Sequence, residues 1–430
     1  MSERDALSEM RCLLFGAMFV VLAQAPPAFD NSYPFRAADA TASPRIARLR
    51  GDIQNNVGTA VEQFWDEMQK NTAPLIEAIP GDPRHSLITF VWRGSALAEN
   101  VVITDGVSIG VGGADPLNSQ MVRIADTDVW YRTYDVRNDA RFTYALSEND
   151  PLTLFTDPNR KSNSKPDPLN PRRFSTGQTY VELRDAPPQP WITPRPPAMS
   201  GKVENTTVGG RNVRVYTAPG FRAGETYPLV VLMGGAAYMN FVSVPVVLDN
   251  LIAEKRIPSV VAVGVGGTSD DLTCSPEYAR FLANELVPWM RKTYHATSIP
   301  SQTVIGGSSL GGLASTFAAV EHPDVFGKVL SQSGSYWWNR TFGSRLEGDN
   351  NSDGEWLTRQ LADRPKVSVQ FFMEVGRMEG FEVQVEPNRR MRDALIAKGY
   401  AVQYQEFNGN HNYINWRGTF GEGLVALLRR

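Results

Sequence analysis

Thr303 to Phe317 read TVIGGSSLGGLASTF: a short β-branched run, two serines between paired glycines, then residues that favour a helix. The pentapeptide Gly307-Ser308-Ser309-Leu310-Gly311 fits G-x-S-x-G, whose small flanking residues permit a sharp strand-to-helix turn that lifts the central hydroxyl above a sheet. That singles out Ser309, not Ser308, as a nucleophile; a plain tight turn or an anion-binding helix terminus is the alternative. A serine hydroxyl is scarcely ionised at neutral pH, so attack needs a base within hydrogen-bond reach and a third group to orient that base. Behind such a turn the chain order is serine, acid, histidine. Of the four histidines, His85 lies far upstream, His295 precedes the serine, and His322 falls where the helix begun by Ser309 should end. His411, in NGNHNYINWRG after the last apolar run, remains as the base. A carboxylate leaving the C-terminal edge of a sheet suits the acid, which favours Glu379, in the loop past Gly376, over Glu374 near the end of VSVQFFMEVG. A Ser–His dyad without an acid is the other option. The oxyanion formed on an attacked carbonyl needs backbone N–H donors. Leu310 offers one, and LMGGAAY offers another at Gly235 or Ala236.

Elements able to position these groups are legible on both sides of the serine. YPLVVLMGG and SVVAVGVGG are continuous apolar runs, as in strands buried on both faces, and EYARFLANELVPWMRKTY is an amphipathic helix. Further strands are expected at TVIGG, KVLSQSG, VSVQFFMEVG and VQYQEFNG, so residues 201–430 read as an α/β domain with a parallel sheet. Six prolines between positions 187 and 197 mark 185–200 as a stiff linker. Residues 85–184 carry the short β-branched and aromatic runs SLITFVWR, NVVITDGV, DVWYRTYDV and RFTYALS, separated by turn residues, which suggest a β-sandwich. Ahead of it, 29–84 is a helical and extended segment with helical spacing at Val61, Phe64, Trp65 and Met68.

The first 28 residues read as a signal peptide: the apolar stretch Cys12–Ala23 is too short for a span of roughly 20 residues, and small residues at Ala23, Ala25 and Ala28 offer cleavage sites. A periplasmic or secreted protein is therefore expected, with no integral membrane segment after cleavage. A formal charge of −3 without any Lys/Arg run removes the footprint of a nucleic-acid binder and leaves small molecules or proteins as partners. Two cysteines, one of them in the leader, exclude a disulfide framework, and four scattered histidines have no ligand spacing, so neither a metal site nor a cofactor is expected.

Five motifs point to a known family: IADTDVW (124–130), DPLNP (167–171), GGSSLGGL, HPDVFGKVLSQSGSYWW (322–338) and HNYINWRG (411–418). On these, the C-terminal domain resembles the esterase D group of α/β-hydrolases, and the mature chain is similar to the enterochelin esterases, which hydrolyse trilactone siderophores. The resemblance implies an α/β-hydrolase domain preceded by an immunoglobulin-like (early-set) β-sandwich packed over the site. It implies action on catecholate esters of serine, free or ferric, with Ser309 as nucleophile, His411 as base and Glu379 as acid. Two departures bear on substrate preference: Gly234-Gly235 stands where Asp-Gly is usual, and Asn412 where the cytoplasmic enterobacterial enzymes carry Asp. A catecholate is anionic and aromatic, so guanidinium and indole groups suit it. Trp337, Trp338, Arg377, Trp416 and Arg417 lie in segments expected to converge on the catalytic edge, with packing between domains as their other use. A secreted carbohydrate esterase of the feruloyl or acetyl-xylan type is the competing activity, and a non-catalytic siderophore-binding protein the competing class.

Overall fold

The computed structural model describes residues 35–37, 42–71, 73–106, 110, 113–155, 157, 159–175, 177–195, 199–340 and 354–429. The expected signal peptide lies outside the described residues.

The N-terminal module holds strands β1 (Phe35–Ala37), β2 (Leu75–Ile79), β3 (Asp82–Arg93), β4 (Val101–Thr104), β5 (Val122–Arg123), β6 (Val129–Arg137), β7 (Arg141–Glu148) and β8 (Thr179–Glu182). They form two antiparallel sheets, β1-β6-β3-β2 with β5 on β6, and β4-β7-β8. Alternation gives the larger sheet two apolar faces. On one, Val91, Val129 and Tyr131 pack against Ile46, Leu49, Phe64, Trp65 and Met68 of the helices Pro44–Gln54 and Ala60–Asn71. On the other, Phe90 sets its ring edge-on to Tyr144 of β7, centroids 4.7 Å apart, and so joins the two sheets.

The C-terminal domain contributes β9 (Lys202–Val208), β10 (Arg211–Thr217), β11 (Leu229–Met233), β12 (Val261–Val265), β13 (Thr303–Ser308), β14 (Lys328–Gln332), β15 (Gln370–Gly376) and β16 (Ala401–Phe407). Their order is β16-β15-β14-β13-β11-β12-β10-β9. From β12 to β16 every pairing is parallel, while β10 runs antiparallel to both β12 and β9. The sheet is thus mixed, not purely parallel. The added hairpin is quiet in sequence because β9 is exposed along nearly its whole length and has no apolar run. The central strands are buried on both faces: Leu229, Val231 and Met233 pack under one helical layer, Val230 and Leu232 under the other. Each such side chain contributes about 1.5–3 kcal/mol of burial. The expected helix EYARFLANELVPWMRKTY is present but widened by a π turn over Leu282–Leu286, just before Pro288, which has no N–H to donate.

The proline-rich stretch is fastened down rather than free. Gln189 Nε2 donates to Ile414 O at 2.6 Å, and Asn250 Nδ2 donates to the carbonyls of Trp191 and Thr193. Trp191 and Ile192 close the apolar cluster beneath the last helix, Tyr413–Leu428. Among the described residues, no single helix is long and apolar enough to cross a membrane.

Candidate active site

Strand β13 ends at Ser308 and the helix Leu310–Glu321 begins two residues later, so Ser309 must carry the whole reversal of direction. It does so at φ 56° and ψ −126°, a region that costs a non-glycine residue about 1–3 kcal/mol. The flanking glycines are required by close approach. A Cβ at Gly307 would stand 2.9 Å from Gly311 C and from Met233 Cβ, and one at Gly311 would stand 3.0 Å from Met233 Cβ. The strained serine is thereby wedged against the end of β11. Its hydroxyl lies 3.2 Å from Ser335 Oγ, and its carbonyl accepts from Ser335 N at 3.0 Å.

Parallel register sets a polar row across the same sheet edge: Ser308 pairs with Gln332, Gln332 with Glu374, and Glu374 with Gln405. Inside this row Glu374 is fully buried and accepts from Gln332 Nε2 at 2.7 Å, Thr419 Oγ1 at 2.5 Å and Gln405 Nε2 at 3.2 Å. It braces the last helix and does not meet a histidine. Burial pushes its pKa up to about 8 against those donors. The native state therefore holds a proton that the unfolded chain releases above its ordinary 4.5. The resulting stabilisation is complete below 4.5 and is lost as pH rises through about 8. Thermal melts across that window should fall in midpoint with rising pH, and Glu374→Gln should flatten the slope; equal slopes would refute the assignment.

Glu379 leaves the sheet edge in the loop after β15. Its Oε1 accepts from Ser333 Oγ at 2.6 Å and Gly376 N at 2.8 Å, and its Oε2 lies 2.6 Å from His411 Nδ1. The carboxylate side chain is 0% exposed and the imidazole 37%, so the acid stands behind the histidine and the histidine faces outward. Trp416 sets its ring edge-on to the imidazole, centroids 4.8 Å apart, and donates from Nε1 to Ser333 Oγ at 3.0 Å. Ser333 thus ties the Glu379 carboxylate to the indole that backs His411.

Ser309 and His411 line one cleft of about 670 Å³ together with Met233, Gly234, Tyr413 and Trp416, within the roughly 300–1,000 Å³ of small-molecule sites. Leu310 also lines it, and its N–H belongs to the first helical turn, where no intrahelical acceptor is available. At the end of β11 the cleft touches Gly234; Gly235 is buried against the end of β12 and Ala236 is exposed in the helix Gly235–Phe241. Of the five expected substrate contacts, only Trp416 lines the cleft. Trp337 donates to Gln384 Oε1, and Trp338 is buried edge-on to Trp356. Arg377 faces Glu406 at 3.7 Å. Arg417 donates to Gln189 Oε1 and covers the Phe174 ring. Packing and ion pairing consume these four groups before they can converge on the serine.

The remaining histidines are occupied elsewhere: His85 pairs with Asp82 at 2.8 Å, His295 caps a helix in the left-handed region, and His322 ends the helix that follows Ser309. Among the described residues, no group of three or more His, Cys, Asp or Glu could hold a metal ion. Sequence reasoning missed Ser333, Ser335, Tyr413 and Gln178. The two serines had a signal, since SQSGS (331–335) carries the chain out of the end of β14, at the sheet edge where Ser309 also stands. Gln178 reaches the cleft from the N-terminal module and had none.

A family described as "Putative esterase" matches residues 205–427, and one described as "Enterochelin esterase, N-terminal" matches 87–192. The chain is 27% identical to an iron(III) enterobactin esterase of Escherichia coli O6:H1 strain CFT073, over 79% of this chain and 90% of that protein. It is 24% identical to the iron(III) salmochelin esterase of the same strain, over 89% and 97%. Among solved structures it is similar to the Shigella flexneri enterobactin esterase crystallised in the presence of enterobactin, with a TM-score of 0.66, 24% identity, and coverage of 84% of this chain and 96% of that one. At that identity the likeness establishes the fold.

Proposed function

The chain belongs to the esterase family, with an enterochelin esterase N-terminal domain ahead of its catalytic part, and on that premise we propose that it hydrolyses the ester bonds of a catecholate trilactone siderophore. It is a carboxylic ester hydrolase. The observation that carries the reading is the 2.6 Å contact of Glu379 with His411 at the wall of the cleft that Ser309 also lines.

In this reading Ser309 Oγ adds to a lactone carbonyl while His411 takes its proton, and Glu379 holds the imidazole tautomer that leaves Nε2 free to accept it. The N–H of Leu310 and a strand-end N–H beside Gly234 stabilise the oxyanion. Collapse expels the serine alkoxide of the siderophore, protonated by His411, and leaves an acyl-enzyme. Water, deprotonated by His411, then releases the acid, so each ester bond cut consumes one water. Iron enters only as part of the substrate.

Trp416 and Tyr413 supply aromatic surface to the catecholate-bearing acyl group, and Gln178 and Asn412, hydrogen-bonded to each other, add a polar stretch to the same lining. The facing sheets of the N-terminal module, joined through Phe90 and Tyr144, support an immunoglobulin-like sandwich. The stretch Cys12–Ala23 supports export from the cytoplasm, which fractionation of cells carrying the tagged full chain tests.

Chromatography of a trilactone siderophore incubated with the protein, with and without iron, should yield linear catechol-serine products. Absence of product from both forms, while ferulate or acetate is released from plant polysaccharide, would replace this substrate class with the carbohydrate esters.

A further inference from the structure

The loop that presents His411 is held from the N-terminal module. Resting on the reading of His411 as the general base, we propose that Asp105 is a positioning residue for that base, acting through Asn410, so that the N-terminal module completes the catalytic site.

The attachment begins on the backbone, where Arg141 N donates to Asn408 O at 2.9 Å and Arg141 bridges Gly409 in parallel. Next along β7, Thr143 N donates to Asn410 Oδ1 at 3.1 Å. Asn410 Nδ2 in turn donates to Asp105 Oδ1 at 3.0 Å and to Thr143 Oγ1 at 2.8 Å, and Thr143 Oγ1 donates to Asp105 Oδ2 at 2.7 Å. Asn410 is 2% exposed and immediately precedes the histidine. On the other side of the histidine, Asn412 Nδ2 donates to Gln178 Oε1 at 2.9 Å, and Gln178 Nε2 lies 3.4 Å from Asp105 Oδ2. Both neighbours of His411 are thus led back to one carboxylate.

Asp105 itself is built for the task. It sits just past β4 at φ 68°, a left-handed conformation that aspartate tolerates, and its Oδ1 accepts from Gly106 N at 2.7 Å. Four donors converge on its two oxygens, which suits an ionised carboxylate and not a neutral one. Desolvation raises its pKa, opposed by the hydroxyl of Thr143, the N–H of Gly106 and the amide of Asn410. Asparagine at this position would turn an amide N–H₂ toward groups that already donate. The His411 loop would then lose its anchor on one side, and a displacement of about 1 Å in a catalytic group costs on the order of 100-fold.

The test uses the full-length protein and two esters, a trilactone siderophore and a small aryl acetate that has none of the siderophore's catechol amides. Asp105→Asn should lower kcat per titratable serine by about 10- to 100-fold on both esters, with KM changed by less than about twofold. Fluorophosphonate should still label Ser309 to completion, but more slowly. The exchange variant Asp105→Asn/Asn410→Asp, which restores an amide–carboxylate pair, should recover about tenfold of the loss. An unchanged kcat per titrated site, with only the melting midpoint lowered, would reduce Asp105 to a structural role and overturn the proposal. A loss confined to KM for the trilactone would make it a substrate contact and overturn it equally. His411→Ala is the companion control: if that variant turns over like wild type, the base is misassigned and the clamp has nothing to position, whatever Asp105→Asn does.

Discussion

Ser309→Ala is expected to lower kcat by about 10⁴- to 10⁶-fold, because it removes the only atom that can form the acyl-enzyme while the oxyanion donors and the cleft remain. The fold should survive the change. Ser309 N donates to Gln332 O at 3.0 Å through the backbone, and the hydroxyl's contact with Ser335 at 3.2 Å is a single part-buried hydrogen bond. Ser309→Gly serves as the companion variant. Glycine adopts φ 56° without the Cβ penalty, so the melting midpoint should rise by the equivalent of about 1 kcal/mol while turnover is lost as in the alanine variant. The pair separates strain held for catalysis from ordinary packing. Residual turnover within about tenfold of wild type in both variants would remove Ser309 as nucleophile.

Glu379→Gln is expected to lower kcat by about 10²- to 10⁴-fold. An amide in this position has one acceptor oxygen, yet Ser333 Oγ, Gly376 N and His411 Nδ1 all present protons to the two oxygens of the native carboxylate. If the amide N–H₂ faces His411, it forces Nδ1 to accept and places the imidazole proton on Nε2, where the base must be free. If the oxygen faces His411, the N–H₂ meets the donors of Ser333 and Gly376. Both arrangements also leave the imidazolium formed during attack without its counter-charge. Glu374→Gln is the control, since that carboxyl contacts Gln332, Thr419 and Gln405 but no histidine. It should keep kcat within about threefold of wild type. Measured side by side on one small ester, a reversed order of effects would transfer the acid's role to Glu374.

Glu374 and Glu379 stand five residues apart in the chain. Both flank the end of one apolar run, and only parallel register places Glu374 in a row with Gln332 and Gln405 while Glu379 escapes past Gly376. The central strands were legible because burial on both faces demands continuous apolar runs. Strand β9 was not, because an exposed edge strand has no such demand, and β10, though buried at Val213, Val215 and Tyr216, has its apolar run broken by Arg214. Ser309 was legible because a strand-to-helix reversal with Gly307 and Gly311 packed on Met233 leaves a local imprint. His411 was legible by elimination among four histidines and by the motif HNYINWRG that it opens.

The tryptophans and arginines show where such reading ends. Trp337, Trp338, Arg377 and Arg417 have the chemistry of catecholate contacts and lie in the right segments, but their side chains are spent on Gln384, Trp356, Glu406 and Gln189. Chain position fixes which edge a residue reaches; it does not fix which way the side chain turns. The clamp on Asn410 is hidden for a related reason. Asp105 and Gln178 come to it from segments hundreds of positions away; NVVITDGV reads only as a strand, with nothing to single out Asp105, and Gln178 has no signal of its own.

Turnover depends on Ser309 being activated by His411, which lines the same cleft. The direct measurement is the rate and position of fluorophosphonate labelling, followed by peptide mass mapping, in the wild type and in His411→Ala. A single adduct on Ser309, formed on the order of 10³-fold more slowly without the imidazole, is the expected result. Equal labelling rates in the two proteins, or an adduct on Ser308 or Ser335 in place of Ser309, would contradict it.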